Sequence, residues 1–441
     1  MTPLHDLTAS DAATRLQSGA LSCEAITRAT LTRIDALEPQ VRAYAHLAAD
    51  EALQQARTLD QAPAQGALHG VTIAVKDVID VAGMPTTFNT PAYAGHRPGR
   101  DAACVATARA LGAVILGKTD TVEFGANGRS AATGNAYAPA HTPGGSSSGS
   151  AAAVASGMAQ IAFGTQTGGS IIRPAAYNGV HAFKPTHGLV CAEGAKVYAP
   201  SLDTIGWFAR GVADLALMAR AFQLADAWPQ APATLAGLRI GVYKGPHWDR
   251  VDASGQQALL RSAPALADAG ATLVDLSLPA SFDTLPQAQQ VIIRAEGRRT
   301  FLSELLAHPD QLNPNIRATA ENAAGYRVPD LLRAQDQAGA ARRDFDALLT
   351  QRLDLVLTPP SFGQAPAGLE DTGSPLCNSL WTLLHAPCLA VPTGLGDIGL
   401  PVGIQLVGPR GGDAQLLAWA EAIDAALTAA QGPMPKPALK S

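Results

Sequence analysis

The chain has 441 residues, 47% of them hydrophobic and 16% charged, with a formal net charge of −5. That length and apolar share suffice for a large buried core, and the acidic balance gives no electrostatic reason to expect a nucleic-acid partner. No run approaches about 18 uninterrupted apolar residues, which argues against a spanning helix or a membrane partner, and five scattered cysteines without a Cys-x-x-Cys pair read as reduced thiols of a cytoplasmic protein.

The first residues, Met1-Thr2-Pro3-Leu4-His5-Asp6-Leu7, carry an early acid and no apolar core of a signal peptide. Residues 8–37 read as amphipathic helices, with Thr8 or Ser10 as the cap. Gly70 to Asp77 is β-branched and apolar, and reads as a buried strand with Lys76 at its end. A lysine there is ordinarily a solvated end. Here the preceding run is apolar on both faces, so Lys76 is expected to be at least partly buried. Burial disfavours the ammonium and lowers its pKa, which suits a general base. A helix over 104–111 and a strand over 113–116 follow, and Lys118 just beyond reads as a structural or surface lysine rather than a second base.

Two glycine-serine loops come next: Gly144-Gly145-Ser146-Ser147-Ser148-Gly149-Ser150 and Gly164-Thr165-Gln166-Thr167-Gly168-Gly169-Ser170. A flexible linker would not be interrupted by the apolar stretch from Ala151 to Phe163, nor followed by Ile171-Ile172-Arg173-Pro174. A serine hydrolase needs an exposed nucleophile on a tight turn and backbone N–H groups aimed at the developing oxyanion. Two Gly-Gly-Ser turns supply both. Residues 145–149 also match Gly-x-Ser-x-Gly, the nucleophile elbow of an α/β-hydrolase esterase acting through Ser147, with His385 as a base. That motif needs a strand before it, and residues 135–143 read as loop.

Further strands are expected over 238–243, 271–276, 353–357, 389–391 and 402–407, with helices over 148–156, 212–224 and 255–269. The alternation argues for an α/β protein layered around a central sheet. Residues 229–232 form the best internal linker, but the element order joins both sides in one sheet, so 1–441 reads as one domain. Residues from about 280 to 352 read as a mainly helical, variable subdomain. No metal-ligand spacing and no phosphate-binding lysine motif is visible, so no cofactor is expected.

The run to Lys76 and the two serine loops resemble the amidase signature family of Ser-Ser-Lys hydrolases. So do Leu111 to Thr119, Phe183-Lys184-Pro185-Thr186, Ser201 to Gly206 and Leu400 to Gly408, in the family's order. The resemblance implies the amidase signature fold: a large mixed β-sheet flanked by helices on both faces, with 280–352 shaping the substrate pocket. It implies Lys76 as base, Ser146 as bridging serine, Ser170 as nucleophile and a cis Gly145–Ser146 peptide. The N–H groups of Thr167, Gly168, Gly169 and Ser170 would form the oxyanion hole, with unusual φ angles at the two glycines. The implied reaction is hydrolysis of a carboxylic amide C–N bond through an acyl-enzyme on Ser170.

Gly125, in the loop Phe124-Gly125-Ala126, would face the nucleophile, and Gln166, where many members carry aspartate, is placed with it among the substrate-facing residues. Arg173, one place later than the commoner pattern, is similar to malonamidase-type members in which an arginine grips a substrate carboxylate. It reads equally as a helix-start arginine tying down a loop. Asp203 reads as a turn cap, and Trp381 as either an acyl-pocket wall or core. The expected partner is a small-molecule amide or carbamate, on a monomer or homodimer. Carbamate or aryl-acylamide hydrolysis would use the same three residues. An A-type amidotransferase chain, dependent on partner proteins, belongs to the same family and stays open.

Overall fold

The computed structural model describes residues 2–439. Eleven strands form one sheet among these residues: β1 (Tyr44–Leu47), β2 (Thr72–Lys76), β3 (Val114–Thr119), β4 (Ile161–Gln166), β5 (His181–Lys184), β6 (Thr204–Ala209), β7 (Arg239–Val242), β8 (Thr272–Asp275), β9 (Leu355–Thr358), β10 (Cys388–Leu395) and β11 (Pro401–Val407). Their order is β1-β3-β2-β4-β6-β5-β10-β11-β9-β7-β8. The sheet is mixed. β2 runs parallel to β3 and β4, and β7 parallel to β8 and β9, while the strands between β4 and β9 pair antiparallel. Strands from both sides of 229–232 thus join one sheet.

Alternation along each strand divides the core. Ile73 and Val75 of β2 belong to one hydrophobic cluster and Ala74 to the other; Leu355 and Leu357 of β9 divide from Val356 in the same way. A sheet covered on both faces explains why the strands read as continuous apolar runs. Helices supply the covers. Thr8 caps the first, Ala9–Gln17, by accepting from the Asp11 N–H at 3.1 Å. Ser148–Ala155 begins within the first serine motif, two residues after Ser146, and is buried along almost its whole length. Residues 280–352 are helical as expected, with Leu285–Thr300, Leu302–Ala307, Pro314–Ala320 and Val328–Gln351. Among the described residues, no helix is long and apolar enough to cross a membrane.

Four strands escape the sequence reading: β1, β4, β5 and β6. β4 and β6 each contain a glycine, β5 is four residues with a histidine and a lysine, and β1 is a half-exposed edge. Glycine and charge depress strand propensity, and tertiary burial overrides it here.

Candidate active site

Lys76 ends β2 between its parallel neighbours. Pairing of Val75 with Phe163 runs the end of β2 alongside the end of β4, where the chain turns into the second serine loop. The Lys76 side chain is 0% exposed. Its Nζ lies 2.7 Å from Ser146 Oγ and 2.8 Å from Thr165 Oγ1. Burial pushes its pKa down to about 7, with Asp203 opposing and Arg173 adding to the shift. Both hydroxyl partners are neutral, so nothing in direct contact offsets the desolvation of an ammonium.

The Gly145–Ser146 peptide is cis, as the resemblance implies. The Ser146 carbonyl accepts from Thr121 Oγ1 at 2.9 Å and from the Val122 N–H at 3.3 Å, which fixes the backbone while Oγ faces Lys76. Ser170 lines the same cavity, and its hydroxyl forms no hydrogen bond among the described residues. The cavity is small, about 120 Å³. A side chain on Gly125 would approach Lys76 Nζ and Ser146 Oγ, both at 3.6 Å from its first carbon. Gly125 therefore keeps a side chain out of contact with Lys76 Nζ and Ser146 Oγ.

From Thr167 to Ser170 the backbone N–H groups donate to no other part of the described chain. Gly168 and Gly169 do not take positive φ values, contrary to expectation. Their smallness serves space instead. A Cβ on Gly169 would sit 2.3 Å from Asn378 Oδ1, and one on Gly168 3.3 Å from Pro375 Cβ. The loop is pinned from below by Thr382, whose hydroxyl donates to the Gly168 carbonyl at 2.7 Å.

Gln166 departs from its expected place. It is fully buried and does not line the cavity. Its Oε1 accepts from the Ile171 and Ile172 N–H groups at 2.8 and 3.1 Å, and its Nε2 donates to Thr382 Oγ1 at 3.0 Å. Both ends of the amide are thus spent on holding the turn after the second serine loop, and neither is free for a ligand.

Arg173 ties down a loop, one of the two readings the sequence leaves open. Its Nη2 donates to the Gly145 carbonyl at 2.6 Å and to Thr372 Oγ1 at 3.3 Å, tying the two serine loops together. It is 4% exposed, lines the cavity, and its Nε and Nη1 have no partner among the described residues. Buried guanidinium donors without acceptors are costly unless a ligand supplies them.

Asp203 accepts from the Tyr198 N–H, the turn-capping role expected of it. It also stands near enough to Lys76 to oppose the loss of its proton. Burial raises its own pKa to about 6. The esterase elbow finds no support in this geometry. Ser147 is buried, its hydroxyl bound to the Thr165 main chain at 3.3 Å, and His385 is engaged with the Ser201 carbonyl at 2.7 Å. Trp381 is 1% exposed and packs on Phe345 and Tyr243. It borders a larger cavity of about 750 Å³, and Ser379 lines both this cavity and the first.

The family model described as Amidase matches residues 25–417. The chain belongs to the amidase family. As an amidase-family enzyme it acts on C–N bonds, on the mixed α/β fold that its solved neighbours share. The A subunit of the glutamyl-tRNA(Gln) amidotransferase of Chloroflexus aurantiacus is 36% identical over 468 aligned residues, covering 95% of this chain and 96% of that one. The peptide amidase of Stenotrophomonas maltophilia superposes with a TM-score of 0.84 at 30% identity, over 100% of both chains. The corresponding glutamyl-tRNA(Gln) amidotransferase chain of Thermotoga maritima superposes at 0.82 with 25% identity, over 100% of this chain and 99% of that one.

Sequence reasoning missed Thr165, the second hydroxyl on Lys76, because β4 carries no clear strand signal. It also missed Arg294, Tyr198 and Gln290, which line the amidase cavity from other elements. Arg294 and Gln290 come from the helix Leu285–Thr300, inside the region expected to shape the pocket.

Proposed function

We propose that the chain hydrolyses the C–N bond of a small amide bearing a carboxylate, through an acyl-enzyme on Ser170. The observation that carries the reading is one cavity lined by Ser146, whose Oγ lies 2.7 Å from the buried Lys76 Nζ, by Ser170, and by Arg173 with its two orphan donors. Neutral Lys76 takes the proton of Ser146, Ser146 takes that of Ser170, and Ser170 Oγ attacks the amide carbon. The free N–H groups from Thr167 to Ser170 receive the oxyanion. The relay then runs back to protonate the leaving nitrogen, the C–N bond breaks, and water releases the acyl group by the same route. Each oxyanion donor of this kind is worth about 10²–10³ in turnover.

A second reading has its own support. The relatives named as the A chain of glutamyl-tRNA(Gln) amidotransferase align over nearly their whole length, so this chain would act on an amide as one member of such a complex. Against free glutamine as the amide donor stands the lining of the cavity. Glutamine brings an ammonium as well as a carboxylate, and among the described residues no aspartate or glutamate lines the cavity.

The test is turnover by the purified single chain. Malonamate should release ammonia, and Arg173→Ala should cost about 10- to 150-fold in kcat/KM, the loss of a charge-assisted bond. A neutral anilide should lose far less. Equal losses on both would make Arg173 a loop anchor only. Turnover of glutamine alone, or only with partner chains present, would favour the amidotransferase reading.

A further inference from the structure

Arg294 stands on the boundary between the catalytic cavity and a second one, of about 260 Å³. It rises from the helix Leu285–Thr300, whereas Arg173 comes from the helix Ile172–Asn178. Its Nη1 donates to Thr319 Oγ1 at 2.6 Å. That bond orients the guanidinium without neutralising it, and Arg294 forms no salt bridge among the described residues. The outer cavity adds Asn315, Thr319 and Asn322, and no aspartate or glutamate lines either space. A chain with a net charge of −5 therefore carries two arginines and no carboxylate in the lining of two cavities that share Arg294. Neither guanidinium has a salt-bridge partner among the described residues, although Asp371 acts on Arg173 at longer range, and both gain when an anion enters.

We infer that Arg294 is a specificity-determining residue holding a second anionic group of the substrate, so that the preferred substrate is a dianionic amide. This rests on the reading above, in which Arg173 holds the first carboxylate near the scissile bond. The second carboxylate extends toward the outer cavity, where Arg294 offers the donors that Thr319 leaves free. Among the described residues, Arg294 is the one that lines both cavities, so a substrate group that extends from the first toward the second meets its guanidinium. An extension into the outer cavity is the route on which a cation waits.

The experiment measures binding and catalytic competence separately. Calorimetric titration compares succinate, glutarate and adipate with butyrate, pentanoate and hexanoate on the full chain. At least one dicarboxylate should bind about 10- to 150-fold more tightly than its monocarboxylate counterpart, the value of one charge-assisted bond. Arg294→Gln should erase that advantage and leave monocarboxylate binding as it was, and Arg294→Lys should restore part of it. Equal affinity for both series in the wild type, or an advantage that survives in Arg294→Gln, overturns the inference. Labelling of Ser170 by a sulfonyl fluoride is measured alongside. Failure of that labelling would count against the acyl-enzyme reading, while the dicarboxylate titration would still decide whether Arg294 binds an anion.

Discussion

Lys76 ends β2 and Lys118 is the penultimate residue of the parallel β3, where it pairs in register with Val75, and both side chains are 0% exposed. Their surroundings differ in one respect. Lys118 Nζ meets the Asp77 carboxylate at 2.8 Å, with Thr86 Oγ1 also at 2.8 Å. Lys76 meets two hydroxyls and no carboxylate within bonding distance. Burial lowers both pKa values, but Asp77 opposes the shift at Lys118 through both charge and a hydrogen bond. One buried strand end thus holds an ion pair that fastens β3 to the loop after β2. The other holds an amine that gives up its proton near neutrality. Burial without a counter-ion at bonding distance is what separates Lys76 from Lys118.

The contrast breaks apart under substitution. Lys76→Ala should lower kcat/KM on any amide the chain turns over by about 10²–10⁴, the usual contribution of a general base. Thermal unfolding of that variant should stay close to wild type, because the lost side chain was desolvated and unpaired by charge. Lys118→Met should act the other way round. It leaves Asp77 buried and uncompensated, at a cost of about 3–5 kcal/mol in chemical denaturation. Lys118→Met combined with Asp77→Asn should recover part of that, since the stranded charge is gone. Comparable activity losses from Lys76→Ala and from a folded Lys118→Met would remove the distinction between the two sites.

The sequence leads to the two lysines but not to the difference between them. The apolar run before Lys76 announces burial, and the two Gly-Gly-Ser turns announce the loops that meet it. What decides the chemistry lies on other strands and turns. Thr165 reaches Lys76 from β4, a strand that its glycine and polar end conceal. Gln166, read as facing the substrate, spends its amide on the turn after Ser170, because the register places it beneath the loop, against Thr382. Arg294 comes from a helix more than a hundred residues further along the chain, with no local motif around it. Strand ends and serine turns are local signals. Which side chains converge on a cavity is set by the order of an eleven-stranded sheet and by the helices above it.

Whether Lys76 is a neutral base at working pH can be tested without knowing the substrate. The second-order rate of Ser170 labelling by a neutral sulfonyl fluoride, followed against pH, reports the free enzyme's ionisations. The base acts deprotonated, so the rate should be low in acid, rise through about pH 7 and level off above it. In Lys76→Ala the rate should be depressed and that limb should be absent. A wild-type profile flat from pH 5 to 9, or the same limb persisting in Lys76→Ala, would show that Lys76 is not the base.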